Sequence, residues 1–422
     1  MFINKPLHSF PKSILCYFCV GILLLSCDND DNNETPVGPL NPNALALCEN
    51  GIADIYPCDG YDLMAHIPLE EFNASAGNDS WGWTDLSTGK EYAIMGLDNG
   101  AAFVDISIAH EPVYLGKLPT ETSSSTWRDI KVYNNYAFIV ADAVGNHGMQ
   151  VFDLARLRNV ANPPVDFSAD QVYNGIGSCH NVVINENEEI AYLVGCDQFF
   201  GGPVFVDISN PLDPTDLGGY SARGYTHDAQ VVTYNGPDAD HLGKDIFIGS
   251  NGNFGGSNTV VILDVSDKSN PQFISEIIYP DSRYAHQGWF TEDMHYFIFG
   301  DEIDEPSIGF NTRTLIFDFS DLDNPTLSSE YFGPTAATDH NGYVVGSKYY
   351  LANYRAGMRV LDITNISSPT NAMMEIGYFD TYPDSDSNNS GGVWNVYPYF
   401  NSGNIIISDM NRGFFVVKKN SL

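Results

Sequence analysis

Four histidines recur at similar points of a repeated sequence unit, and their side chains are the ones best suited to do chemistry. They are His180, His227, His286 and His340. Imidazoles that converge on one point can bind a transition metal. Imidazoles in a buried ring can equally hold neighbouring elements together through hydrogen bonds. The sequence leaves both interpretations open and predicts that the four side chains line an arc rather than a compact tetrahedron.

Aromatic and charged side chains stand in or beside the same segments. The candidate rim residues, besides the histidines, are Trp83, Trp127, Arg128, Trp289, Trp394 and Asp301. In a propeller, the loops that lead into the first strand of each blade share one face with the loops that follow the second strand. A mouth rich in Trp, Tyr and His would suit a sugar or peptide ligand.

Hairpin register predicts a polar partner for each histidine. With turns at Asp293-Met294 and Gly346-Ser347, His286 should face Asp301 and His340 should face Asn353. Two further pairs fit less tightly, namely His180 with Asp197 and His227 with Asn251.

The densest acidic loop on this face is Asp301-Glu302-Ile303-Asp304-Glu305. Its carboxylates could hold Ca²⁺, but the spacing is not that of an EF-hand, so the sequence favours a solvated acidic loop. A divalent ion on the rim, either Ca²⁺ or a transition metal, is therefore the one cofactor that the residues suggest.

The elements that carry these residues are short strands of a repeated unit. Each unit has a β-rich run that ends in Asp, with spacings of 48, 54, 57, 54 and 44 residues between successive Asp positions. These positions are Asp105, Asp153, Asp207, Asp264, Asp318 and Asp362, and a seventh copy at 413–417 lacks the Asp. The period fits four-stranded blades. We predict an all-β, seven-bladed β-propeller over residues 61–418, in which the N-terminal strand at 61–69 completes blade 7 and a short tail (419–422) follows.

Several motifs accompany the repeat between residues 48 and 418. They include Trp81-Gly82-Trp83-Thr84-Asp85, Trp127-Arg128-Asp129-Ile130-Lys131, Gly224-Tyr225-Thr226-His227-Asp228-Ala229-Gln230 and His286-Gln287-Gly288-Trp289. The repeat resembles the LVIVD-type repeat, and the whole chain resembles the choice-of-anchor B family of bacterial surface proteins. The resemblance implies a surface protein with one of several kinds of anchor, and it implies no particular reaction.

The first residues predict export and lipidation. Residues 1–26 are typical of a signal peptide, because the apolar run at 14–26 is too short to span a bilayer. Leu24-Leu25-Ser26-Cys27 resembles a lipobox, in which Cys27 accepts lipid; the alternative is a plain secretory signal. The acidic segment that follows predicts a flexible tether (27–47). An acidic run directly after the lipid cysteine also resembles the surface-export signal of some bacterial lipoproteins, which implies a surface-exposed outer-membrane lipoprotein. The alternative is retention at the inner membrane, which Asp28 would indicate under enterobacterial sorting.

The remaining cysteines form two sequence-local pairs, as expected outside the cytosol. Cys48 and Cys58 would clasp the segment 48–60, and Cys179 and Cys196 flank one hairpin. The rival interpretation is a metal site of Cys179, His180 and Cys196, which is one ligand short of structural zinc.

The charge balance excludes one class of partner. With 19 Lys and Arg against 54 Asp and Glu, the net charge is −35, which repels phosphate backbones, so we expect no nucleic-acid binding. The sequence favours a binding or scaffold module, attached to the outer membrane through lipid at Cys27, with an unknown surface protein, peptide or glycan as its ligand. The alternative is a metal-dependent extracytoplasmic enzyme that uses the four histidines.

Overall fold

The structure is a computed structural model that describes residues 40–420. The predicted signal peptide, Cys27 and most of the predicted tether lie outside the described residues, so they stay predictions. Among the described residues, none of the helices is long and apolar enough to cross a membrane.

Seven sheets, each built on four antiparallel strands, follow one another along the chain as the repeat predicts. The strands before the first blade are β1 (Ile52–Ala53), β2 (Tyr56–Asp59) and β3 (Tyr61–Ile67). Blade 1 has β4 (Gly77–Asp85), β5 (Lys90–Leu97), β6 (Gly100–Asp105) and β7 (Val113–Pro119). Blade 2 has β8 (Arg128–Tyr133), β9 (Tyr136–Ala141), β10 (Met149–Asp153) and, after a short β11 (Val165–Asp166) that pairs with β7, β12 (Gln171–Tyr173).

The next blades repeat this order. Blade 3 has β13 (Asn181–Asn185), β14 (Ile190–Val194), β15 (Val204–Asp207) and β16 (Thr215–Gly219). Blade 4 has β17 (Asp228–Thr233), β18 (Asp245–Asn251), β19 (Thr259–Asp264) and β20 (Gln272–Ile277). Blade 5 has β21 (Ala285–Phe290), β22 (Tyr296–Asp301), the single helical turn α1 (Asp304–Ile308), β23 (Arg313–Asp318) and β24 (Thr326–Phe332).

The last two blades close the ring. Blade 6 has β25 (Gly342–Val345), β26 (Lys348–Ala352), β27 (Met358–Asp362) and β28 (Met374–Phe379). Blade 7 has β29 (Val393–Tyr397), β30 (Asn404–Asp409), β31 (Gly413–Lys419) and, as its fourth strand, β3. The first strands of successive blades contact one another, and β29 contacts β4. The predicted closure by the N-terminal strand is confirmed, because β3 pairs antiparallel with β31 and leaves neither with an open edge on that side.

The repeated Asp has the structural role that its spacing indicates. Asp105 Oδ1 accepts a hydrogen bond from the Ser107 N–H at 3.0 Å and so turns the chain after the third strand. The same bond, from residue i+2 to the Asp, follows Asp153, Asp207, Asp264, Asp318 and Asp362.

The segment before the ring is more ordered than predicted. Cys48 and Cys58 form the expected disulfide, and β2 also pairs with β28, which adds a strand to the outer edge of blade 6. Asn41, assigned by sequence to the tether, is buried and donates a hydrogen bond to Asp62 Oδ2 at 2.9 Å. The prediction of a free tether is therefore wrong for this described end, since a buried amide with a carboxylate partner holds it on the propeller.

A closed ring of polar side chains, the interblade girdle, joins the first strands of all seven blades. Each member bonds to the first strand of the next blade over 2.6–3.4 Å. The seven bonds are Asp79 with Ile130 N–H, Asp129 with Val182 N–H, Asn181 with His227 O, Gln230 with Phe290 N–H, Gln287 with Gly342 N–H, Asn341 with Asn395 Oδ1, and Asn395 with Ser80 O. The girdle fixes the blades around the axis, and with them the residues at the strand starts.

Candidate functional site

The four histidines form one arc of ring contacts at the starts of the first strands, and we call it the histidine arc. The ring centroids of His180 and His227 are 4.2 Å apart, those of His227 and His286 are 4.4 Å apart, and those of His286 and His340 are 4.2 Å apart. The arc that the sequence predicts is thus present.

The hydrogen bonds of the arc run between blades and set the tautomers. His227 Nδ1 donates to the His286 carbonyl oxygen at 3.1 Å, and His340 Nδ1 donates to the Trp394 carbonyl oxygen at 2.6 Å. A carbonyl can only accept, so in a neutral ring Nε2 keeps its lone pair. His286 differs, because its buried Nδ1 makes no hydrogen bond of good geometry among the described residues and the His340 backbone is a weaker partner for the ring.

Burial keeps three of the four rings uncharged, namely those of His227, His286 and His340. It lowers the pKa of His227 and of His286 well below the usual value, and the neighbouring imidazoles act in the same direction. Burial also lowers the pKa of His340 to about 3. At neutral pH these rings can accept a hydrogen bond or bind a metal without first losing a proton.

The predicted pairing of His286 with Asp301 is wrong. Ala285 pairs with Asp301 and Gln287 pairs with Gly300, so a β-bulge leaves His286 outside the ladder, and its ring lies beside Glu302 instead. The buried Asp301 instead accepts hydrogen bonds from the Tyr279 hydroxyl and from the N–H groups of Arg283 and Tyr284.

The other three predicted partners are also replaced. His180 Nδ1 lies 3.0 Å from Asp142 Oδ2, an oxygen of the preceding blade, rather than pairing with Asp197. In place of the histidines, Asn251 bonds to Thr226 and Asn353 bonds to Thr312. The physical reason is that side chains at the strand starts face the neighbouring blade, not the strand beside them in the hairpin.

A cavity of about 580 Å³ opens beside the arc. Its lining comes from the loops before the first strands and from the loops after the second strands, so the predicted sharing of one face is confirmed. The lining residues are Trp127, Asp142, His180, Tyr225, His227, Gly252, Asn253, Phe254, Tyr284, Glu302 and Ile303. The walls are mainly aromatic, two carboxylates are present, and no Lys or Arg takes part.

Glu302 is the acidic group beside His286, one of the two middle rings of the arc. Its side chain is 20% exposed, and its Oε2 lies 3.7 Å from His286 Nε2. Its Oε1 accepts a hydrogen bond from the Tyr354 hydroxyl at 2.5 Å, and burial raises the pKa of Glu302. One donor atom each from His227, His286 and Glu302 lie within 4.8 Å of one another, which is the spacing of a possible metal-ligand set.

The rest of the acidic loop is not solvated, and that prediction is wrong. Asp304 and Glu305 are fully buried at the start of α1. Asp304 Oδ2 accepts from Arg313 Nη1 at 2.9 Å, and Glu305 Oε1 accepts from the Arg313 N–H at 2.9 Å. The guanidinium of Arg313 thus holds Asp304 inside and its backbone N–H holds Glu305, so among the carboxylates of this loop only Glu302 lines the cavity.

The predicted rim residues divide between the cavity and the protein interior. Trp127 lines the cavity and is 42% exposed, and Trp394 lies 4.9 Å from the His340 ring. Trp83 is buried against Tyr92, so its placement on the rim is wrong.

The sequence-based prediction also wrongly places two further residues, Arg128 and Trp289, on the rim. Arg128 is buried, donates to the Leu97 carbonyl oxygen at 3.1 Å and lies beside His147. Trp289, three residues beyond His286 in β21, lines a separate cavity of about 170 Å³ with Trp81 and Lys131. A first strand crosses the whole height of its blade, so a residue as far along it as Trp289 does not reach the histidine face.

Cys179 and Cys196 form the predicted disulfide. The rival metal site with His180 is therefore wrong, because both sulfur atoms are bonded to each other. Sequence analysis missed the cavity walls formed by Tyr225, Phe254 and Tyr284. A usable signal was present, since Tyr225 and Tyr284 each stand two residues before a histidine of the arc.

Two stretches of the chain, residues 126–154 and 255–277, match the family model of the LVIVD repeat. The seven sheets define the class of the protein, a seven-bladed β-propeller, and these two stretches of it match the LVIVD repeat. No protein with a curated description matches the chain in sequence.

Solved structures share the propeller fold at low sequence identity. Hydrazine synthase from Kuenenia stuttgartiensis aligns with a TM-score of 0.55 and 9% identity, over 78% of this chain and 92% of that chain. A protein from Lactobacillus plantarum aligns with a TM-score of 0.51 and 13% identity, over 74% of this chain and 84% of that chain. At these identities the likeness shows the fold alone.

Proposed function

We propose that the chain is a cell-surface binding module of the choice-of-anchor B type, whose ligand enters the cavity beside the histidine arc. The observation that carries the proposal is the cavity of about 580 Å³, which exposes aromatic side chains on a rigid frame. Pockets with apolar walls and a few polar groups are the usual form of ligand sites.

The lining selects among ligands. Trp127 and Phe254 are exposed aromatic surfaces, on which a sugar ring or an apolar peptide side chain can stack. Asp142 and Glu302 supply acceptors, and the chain carries a net charge of −35, so neutral or basic ligands are favoured over anionic ones. The ligand class is accordingly a neutral glycan or a peptide without excess negative charge.

The test is binding of the purified full chain to glycan and peptide arrays. Trp127→Ala and Phe254→Ala should each weaken capture at least tenfold, because each removes a stacking surface. Phe332→Ala is the matched control, since Phe332 is also an exposed aromatic residue but lies on β24, away from the cavity. Equal loss in all three variants, or no loss in the two cavity variants, would contradict the proposal.

The anchor is a lipid on Cys27 that holds the propeller to the outer membrane, facing outward. Support comes from the lipobox-like Leu24-Leu25-Ser26-Cys27, and the two disulfides fit an oxidising compartment. Cys27→Ala should move the protein from the membrane fraction to the soluble fraction. A variant that fractionates like the wild type would refute the lipid anchor and leave the ligand site untouched.

A metal-dependent extracytoplasmic enzyme is the second candidate. The observation that favours it is the approach of donor atoms from His227, His286 and Glu302 directly beside the open cavity. A metal there could polarise a bound ligand or activate water. Metal analysis of the purified protein is its first test.

A further inference from the structure

Two imidazoles and one carboxylate bring donor atoms close together beside the cavity, whose wall includes His227 and Glu302 but not His286. One nitrogen each from His227 and His286 and one oxygen from Glu302 lie within 4.8 Å of one another. Ligand atoms around tetrahedral zinc lie about 3.3 Å apart, because Zn–N and Zn–O bonds are about 2.0–2.1 Å long. Shifts of about 1 Å in the side chains would therefore complete the set.

The surrounding hydrogen bonds already aim two of these donors. His227 Nδ1 is bonded to the His286 carbonyl oxygen, which leaves Nε2 as the nitrogen with a free lone pair. The Tyr354 hydroxyl holds Glu302 Oε1 and leaves Oε2 on the side of His286. Bonds of this kind orient the ligands of metal sites.

His286 is the member of the arc that is free to adjust. Unlike His227 and His340, its Nδ1 makes no hydrogen bond of good geometry among the described residues, although the ring is buried. A buried polar atom without a partner needs an explanation. A ring that turns toward an ion would explain it, since only a weaker contact with the His340 backbone holds this ring in place.

The geometry points to a zinc-class dication held by His227, His286 and Glu302, with its remaining coordination position open to the cavity. Two imidazoles favour zinc over Ca²⁺, which takes oxygen ligands. Two histidines with one glutamate are a donor set of catalytic zinc. This inference rests on the second candidate function, a metal-dependent enzyme, and specifies its ion and the three residues that hold it.

The full arc is not the ligand set. Successive rings lie side by side at 4.2–4.4 Å between centroids, so His180 and His340 stand at opposite ends of a row of contacts. A single ion can reach the two middle rings but not all four. His340 is a positioning residue, because its ring packs on His286 while its Nδ1 is bonded to Trp394.

The test is titration of the metal-free full chain with ZnCl₂ in a calorimeter, with CaCl₂ as the comparison. We expect one zinc ion per chain and no matching calcium signal. His227→Ala, His286→Ala and Glu302→Gln should each lower zinc affinity by roughly 100-fold or more, since each removes a ligand. Zinc should also raise the melting temperature of the wild type but not of these variants.

The control is His241→Ala. His241 lies with Asp238 and Asp323 in the other group of possible ligands among the described residues, and it should not affect the expected site. Zinc binding that is lost in His241→Ala and kept in the three variants would overturn the proposal, as would a wild type that binds no stoichiometric zinc.

Folding defects are separated from ligand loss by melting every variant without metal. Glu302→Gln preserves the shape of the side chain. The inference is supported if this variant loses zinc binding but, without metal, melts at the same temperature as the wild type. A His286→Ala variant that melts lower than the wild type, combined with a wild type indifferent to zinc, overturns it and leaves the arc a structural feature. If zinc does not bind but Trp127→Ala still abolishes ligand capture, the metal inference fails and the binding function stands.

Discussion

Two lysine–aspartate pairs of nearly equal length differ mainly in burial. Lys131 Nζ lies 2.6 Å from Asp129 Oδ1, with side chains 11% and 5% exposed. Lys90 Nζ lies 2.7 Å from Asp105 Oδ2, with side chains 46% and 14% exposed. The first pair also belongs to the interblade girdle through Asp129. Comparing the two tests the effect of burial, together with that of the further carboxylates around Lys131.

Replacing each lysine by methionine should have very different costs. Lys131→Met leaves buried carboxylates without their cation and should destabilise the protein by about 3–5 kcal/mol. Lys90→Met breaks a pair that water screens and should cost about 0.2–1 kcal/mol. The distance between the charged atoms is nearly the same in the two pairs, so it does not decide the loss of stability. The amount of solvent around each pair does.

Lowering the pH should reduce the loss of stability that Lys131→Met causes. Lys131 faces three carboxylates, those of Asp79, Asp129 and Asp228. Burial raises the pKa of Asp79 well above its usual value and that of Asp228 to about 7. Without the lysine charge, the pKa values of these carboxylates in the folded state should rise further. As the pH falls through those pKa values the carboxylates are neutralised, so the variant should regain stability relative to the wild type.

Urea unfolding followed by far-ultraviolet circular dichroism is the suitable assay. Tryptophan fluorescence would be misleading, because Lys131 Nζ lies 4.6 Å from the Trp81 ring. Adding Asp129→Asn to Lys131→Met should recover part of the loss by removing one stranded charge. Equal unfolding midpoints for Lys131→Met and Lys90→Met, at unchanged slope, would refute the reasoning.

His147 is buried beside Arg128, and burial lowers its pKa from 6.5 to about 4. As the pH falls, the unfolded chain therefore binds a proton before the folded chain does. The free energy of unfolding of the wild type should fall by up to about 3 kcal/mol between about pH 6.5 and about pH 4. His147→Gln should remove that part of the pH dependence, and parallel pH profiles of the urea midpoints would show that the histidine does not titrate this way. Deleting residues 61–69 should open blade 7 at β31 and lower the melting temperature of the whole ring. A deletion variant that melts like the wild type would show that β3 does not close the propeller.

Three features of the fold could be predicted because they depend on local chemistry or on the period of the repeat. They are the number of blades, the turns between the third and fourth strands, and the closing strand. Asp105 bonds to the N–H two residues later, so the turn is encoded within the repeat itself. Strand β3 could be assigned to blade 7 because it was a strand without a neighbour and blade 7 was a blade without a fourth strand. The disulfide of Cys179 and Cys196 joins the two ends of one hairpin, so it too was visible locally.

The candidate site depended on contacts between blades, and these only the tertiary structure decided. His227 bonds to a carbonyl 59 residues away, in the next blade, rather than to the end of its own hairpin. One bulge at Ala285 and Gln287 took His286 out of register with Asp301 and left its ring beside Glu302. The sequence by itself placed the histidines at the strand starts, but their partners were decided by how each blade packs on the next. Hairpin register describes neighbours within a sheet, whereas side chains at the centre of a propeller point between sheets.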